Sequence, residues 1–129
     1  MKRLFSHVDI RVRDRERAKE FYDAIFAPLG MSADVGAHFT TYTIDPSAPE
    51  ARAEWFGFTQ ERDMVPGSAR ISLFADSRQL VDRVAGAARA AGARDLDGPA
   101  VQTEYAPNYY AVFFDDPDGN KLEVCCLVD

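Results

Sequence analysis

Phe5-Ser6-His7-Val8-Asp9-Ile10-Arg11-Val12 alternates: Val8, Ile10 and Val12 fall on one side of an extended chain, and His7, Asp9 and Arg11 on the other. The stretch predicts a strand with one apolar and one polar face. Asp14 follows as a helix N-cap. Ala18, Phe21, Tyr22, Ile25, Phe26 and Leu29 then recur at the spacing of an amphipathic helix, which Pro28 and Gly30 end. The same order returns downstream. In Ala69–Ala75, Ile71 and Leu73 alternate with Arg70 and Ser72, and Asp76 or Ser77 caps a second helix with Leu80, Val81, Val84, Ala87, Ala88 and Ala91 as its apolar stripe and Gly92 as its end. Gly30 and Gly92 are 62 residues apart, His7 and Arg70 63, and Glu54 and Glu123, each read as opening an apolar last strand, 69. Two copies of one strand–helix–strands unit account for this spacing.

Further strands are predicted near residues 31–35, 38–44 and 52–60, with a turn at 45–49. The second copy adds a short strand near 94–96, a loop containing Gly98 and Pro99, an aromatic strand at 109–115, the hairpin turn Asp116-Pro117-Asp118-Gly119-Asn120, and a last strand at 121–128. The fold class is therefore α+β, in one domain, with modules at about 4–61 and 68–128. A ferredoxin-like βαββαβ domain would need only two strands between the helices, and the gap here holds three.

Composition narrows the partners. The chain has 129 residues, 47% hydrophobic and 28% charged, with a net charge of −6. These are globular proportions. An acidic chain repels phosphate backbones and anionic lipid, so neither nucleic acid nor a membrane is an expected partner, and no apolar run approaches the ~18 residues of a spanning helix. Cys125 and Cys126 are neighbours and cannot staple distant segments. The first residues lack the apolar core of a secretion signal, and a cytoplasmic location is expected.

In each copy the helix is expected to cover the apolar face of the sheet. The other face collects His7, Asp9 and Arg11 in one copy, and Arg70, Ser72, Lys121, Glu123, Cys125 and Leu127 in the other. With Phe56, Phe58 and either Tyr42 or Phe39 added, that surface is too apolar for plain solvent exposure, and a pocket is the sharper reading. Glu123 lies between Leu122 and Val124, where an unpaired carboxylate is costly. Around Pro107, residues Tyr105, Asn108, Tyr109 and Tyr110 read either as a loop entering a strand or as a ligand-stacking rim. The 116–120 turn lacks the spacing of a calcium loop, and no phosphate-binding glycine motif is present.

His7-Val8-Asp9-Ile10 with Ala18-Lys19-Glu20-Phe21-Tyr22, and Asp116-Pro117-Asp118-Gly119-Asn120-Lys121-Leu122-Glu123 near the end, resemble the glyoxalase/bleomycin-resistance/dioxygenase family, the vicinal oxygen chelate superfamily. The resemblance spans essentially the whole chain. It implies two βαβββ modules with each sheet bent into a half-barrel cup, and a divalent metal (Ni, Mn, Fe, Co or Zn) held by the first and last strands of each module. Carried onto this chain, the ligand positions are His7, Glu54, Arg70 and Glu123. Arg70 departs from the pattern, because a guanidinium has no lone pair to give a metal. It could instead bridge Glu54 and Glu123.

Two functions stay open on this reading. One is a small metal-dependent lyase, isomerase or dioxygenase acting on vicinal oxygens, with His7, Glu54 and Glu123 as metal ligands and Glu123 or Glu54 as general base. The other is a metal-free protein that binds and sequesters a small molecule, with Arg70, Tyr105, Asn108 and Tyr110 contacting the ligand. A homodimer is expected in either case, since sheet edges must be covered.

Overall fold

The computed structural model describes residues 4–45, 47 and 54–128. The chain divides between residues 64 and 65 into two compact units. The first contains β1 (His7–Val12), α1 (Arg15–Phe26), β2 (Ser32–Val35), β3 (Phe39–Thr43) and β4 (Trp55–Gln60). The second contains β5 (Arg70–Phe74), α2 (Arg78–Ala90), β6 (Arg94–Val101), β7 (Tyr110–Asp115) and β8 (Lys121–Cys126). Each unit is βαβββ. The sheet orders are β1-β4-β3-β2 and β5-β8-β7-β6. In both, the first strand pairs parallel with the last and forms an edge, and the remaining neighbours run antiparallel.

Local chemistry sets the helix starts. The Asp14 carboxylate accepts from the backbone N–H of Glu16 and Arg17 at 3.0 and 3.1 Å, and the Ser77 hydroxyl accepts from Leu80 N–H at 3.1 Å. Gly30 and Gly92 follow the helices with φ of +80° and +101°, the left-handed geometry that favours glycine.

The first unit's core is aromatic. Tyr22 and Phe26 on α1 pack on Tyr42, Phe56 and Phe58, with ring centroids 4.6–6.3 Å apart. The second is aliphatic, with Val81, Val84, Ala85 and Ala88 of α2 buried along with Val112, Phe114, Leu122 and Val124. Each fully buried Val, Leu or Phe contributes roughly 1.5–3 kcal/mol.

The expectation that Val8, Ile10, Ile71 and Leu73 are fully covered needs correcting, for all four are half-buried. The reason is strand order. Helix α1 packs on β2, β3 and β4, and α2 on β6, β7 and β8, so the edge strands β1 and β5 lie at the margin of helix cover. Gly98 and Pro99, read as a loop, instead lie inside β6, where the register to β7 shifts. Gly98 has a φ of +99°, and a Cβ there would sit 2.8 Å from the Ala111 carbonyl oxygen. The strand continues through an irregular step that only glycine fits. The predicted 45–49 turn lies largely outside the described residues.

Candidate functional site

Strand register fixes which residues of the two units correspond. His7 pairs with Trp55, and Arg70 with Lys121. Stepping along the strands, Gly57 rather than Glu54 is the counterpart of Glu123. Glu54 precedes β4 and is exposed. The 69-residue spacing of the two glutamates therefore does not make them equivalent. The useful signal was the apolar pair on either side: Phe56 and Phe58 bracket Gly57 as Leu122 and Val124 bracket Glu123.

The space beside Gly57 is filled. The Trp55 indole lies across it, and a Cβ at position 57 would meet the ring's Cζ3 at 2.7 Å. That indole is stacked on the His7 imidazole at 4.1 Å between centroids and 2° from parallel. His7 Nδ1 lies 3.0 Å from the Ser6 hydroxyl. On the same strand Asp9 and Arg11 pair at 2.8 Å, an exposed ion pair worth little.

In the second unit, the face away from α2 is graded along the strands. At one end Lys121 pairs with Asp115 at 3.6 Å. Arg70 donates to the Leu122 carbonyl at 2.8 Å, and its guanidinium carbon lies 5.2 Å from the centre of the Phe113 ring. In the middle, Glu123 is flanked by Ser72 and Phe113 and is 7% exposed. The Tyr109 hydroxyl donates to Glu123 Oε2. Burial first, and then this hydrogen bond, hold the Tyr109 phenol well above the ordinary tyrosine range. Tyr105 packs on Tyr109 and Phe113, with centroids 5.1 and 6.4 Å away. At the far end, a cleft of about 250 Å³ is lined by Ser72, Phe74, Tyr109, Cys125 and Leu127. The Ser72 hydroxyl and Cys125 thiol are 3.4 Å apart.

The predicted bridge from Arg70 to Glu123 is thus replaced by two separate contacts, Arg70 to a backbone carbonyl and Glu123 to Tyr109. Of the rim residues, Tyr105 lies on the Glu123 face, while Asn108 is exposed in the turn before β7. Tyr110 points the other way. Its hydroxyl donates to Asp82 of α2 at 2.7 Å, under the Arg78 guanidinium. Tyr109 rather than Tyr110 shares the Glu123 face, since strand alternation puts 109, 111 and 113 on one side and Phe113 pairs with Glu123.

The donors fit a divalent metal poorly. Within neither unit do three His, Cys, Asp or Glu side chains group as ligands among the described residues. Of the four corresponding positions, His7 and Glu123 offer donors, Gly57 offers none, and Arg70 is a permanent cation.

Residues 4–124 match the model of the Glyoxalase/Bleomycin resistance protein/Dioxygenase superfamily. The chain belongs to that superfamily. A glyoxalase/bleomycin resistance protein from Albidiferax ferrireducens T118 is 27% identical with a TM-score of 0.80, covering 96% of this chain and 98% of its own. The fosfomycin resistance protein FosX from Mesorhizobium loti shares the fold at 19% identity, TM-score 0.68, over 98% of this chain and 93% of its own. A FosX variant from Listeria monocytogenes, complexed with Mn(II) and 1S,2S-dihydroxypropylphosphonic acid, does so at 16%, TM-score 0.67, over 97% and 90%. Comparison with curated proteins gives no match.

Proposed function

We propose that this chain is a metal-independent small-molecule-binding member of its superfamily, a sequestering protein that uses the face of its second sheet away from α2. The observation that carries the reading is a glycine, Gly57, at the register position that Glu123 holds in the second sheet, with the Trp55 ring over it and His7 stacked on that ring. Arg70 adds a fixed positive charge to the Glu123 face of the second sheet. Against these, the cleft beside Tyr109 and Glu123 offers apolar walls with a few polar groups, the make-up of a ligand site.

Metal analysis of the purified protein, with thermal shifts in Mn, Ni, Fe, Co and Zn, tests it. The expected result is no stoichiometric metal and no concentration-dependent rise in Tm. A ligand at 100 times its Kd would stabilise the protein by about 2.7 kcal/mol, enough to read easily. Replacing Arg70→His adds a donor and removes a competing cation, and is expected to raise metal affinity above that of the wild type.

The Mn(II) complex of the FosX relative favours a second reading, a metal-dependent lyase, isomerase or dioxygenase. His7 and Glu123 would then be ligands. Micromolar metal binding by the wild type, lost in Glu123→Gln, would establish it in place of the first. On both readings we propose a homodimer, which light scattering at micromolar concentration tests.

A further inference from the structure

Glu123 raises a problem of charge. The residue is 7% exposed, and its carboxylate's hydrogen-bond partner is a neutral phenol. A buried charge is costly unless an opposite charge compensates it. Two cations share this face of the second sheet and neither pairs with Glu123: Lys121 pairs with Asp115, and Arg70, which keeps its charge, donates to the Leu122 carbonyl. Among the described residues no ion pair reaches Glu123.

The surroundings of this carboxylate are those that favour an organic cation. Tyr105 and Tyr109 present aromatic rings beside it, the Phe113 ring being covered by the Arg70 guanidinium, and ring faces attract ammonium groups. The adjoining cleft has Phe74 and Leu127 at its sides, 73% and 46% exposed, with no charged residue in its lining. At about 250 Å³ it suits a body the size of one substituted ring. The net charge of −6 draws cations toward the protein at long range.

We propose that the ligand of the second unit is a lipophilic amine, whose ammonium group pairs with Glu123 in place of the Tyr109 hydroxyl and whose apolar body occupies the cleft between Phe74 and Leu127. This rests on the small-molecule-binding reading above and adds the chemical class. Tyr109 holds the carboxylate while the site is empty and yields it to the ammonium group.

Three probes with one body test the charge: 2-phenylethylamine, 2-phenylethanol and phenylacetate, titrated by calorimetry and by ligand-observed NMR at low and high salt. The amine is expected to bind at least tenfold more tightly than the alcohol, and phenylacetate more weakly than either. Glu123→Gln should erase the amine's advantage, and Tyr109→Phe, which removes the competing phenol, should strengthen amine binding. Equal or tighter binding of the alcohol or the acetate overturns the proposal, as does failure of the amine to bind at millimolar concentration. An amine preference that survives Glu123→Gln overturns it too. If Glu123→Gln does not fold, the wild-type ranking and its weakening by salt decide the matter. Metal binding by the wild type would refute the metal-independent reading, whereas the ranking, measured on metal-free protein in chelator, decides this proposal, so the two fail separately.

Discussion

The indole of Trp55 and the imidazole of His7 lie face to face, 4.1 Å apart and within 2° of parallel, on neighbouring strands. Gly57 makes this possible, since a methyl group there would occupy the space of the indole ring. Gly57→Ala is therefore expected to displace Trp55 and cost about 1–2 kcal/mol, from crowding and the lost ring contact. Urea denaturation followed by circular dichroism measures this. Unchanged stability would mean that the indole swings aside freely.

Alkaline pH should expose the hydroxyl partners of three tyrosines. Burial and Asp23 raise Tyr42, burial and Glu123 raise Tyr109, and the hydrogen bond to Asp82 raises Tyr110. In the unfolded chain each loses its proton near pH ~10. Above that pH the unfolded state holds fewer protons than the folded one, so their stabilisation is complete below about pH 10 and declines as pH rises further. Phenolate absorbance should show Tyr42 and Tyr109 titrating late, with Tyr109 moving down in Glu123→Gln. A Tyr109 transition unaffected by that change would argue against the carboxylate as its partner.

How much of this could be read from the amino acids differs between fold and site. Alternation at Val8–Val12 and Ile71–Leu73, helix spacing and the Asp14 and Ser77 caps are local signals, and they sufficed for two βαβββ units. The site depends on register, a long-range property. Pairing by the distance between two glutamates selected Glu54, where pairing by the flanking apolar residues would have selected Gly57. The faces of the rim tyrosines depend on register too. Tyr109 and Tyr110 are chemically alike, and only the pairing set by the 116–120 turn tells which faces Glu123. The orientation of Trp55 over Gly57 had no signal in the sequence beyond the glycine itself.

The 116–120 turn that sets this register hangs on one side chain. Asp116 is fully buried and accepts from the backbone N–H of Asp118 and Asn120 and from the Asn120 amide, all at 2.9 Å. Asp116→Ala leaves those donors without their acceptor and should cost about 2–3 kcal/mol or more. Asp116→Asn should recover part of it. Thermal denaturation of the two variants gives the comparison, and equal stability of both with wild type would remove the turn from the account.

Cys125 and Cys126 should differ in reactivity despite being adjacent and buried. Cys125 lines the cleft, whereas Cys126 is on the opposite face of the strand and is 0% exposed. A small thiol reagent on the folded protein is expected to modify Cys125 first, with the fast phase retained in Cys126→Ser and lost in Cys125→Ser. Peptide mapping that finds Cys126 modified first would contradict the assignment of faces.

Trp55 is the only tryptophan in the chain. The residue that covers Gly57 is consequently an intrinsic fluorophore at a single known point, in van der Waals contact with a titratable ring. Emission excited at the red edge of indole absorption comes from that point alone. Any event that parts the two rings, whether a metal drawn to His7 or a rearrangement of β1 against β4, acts on a quencher stacked directly upon the emitter. The first unit thus carries its own optical gauge, and the unlabelled protein can report whether His7 stays stacked on Trp55.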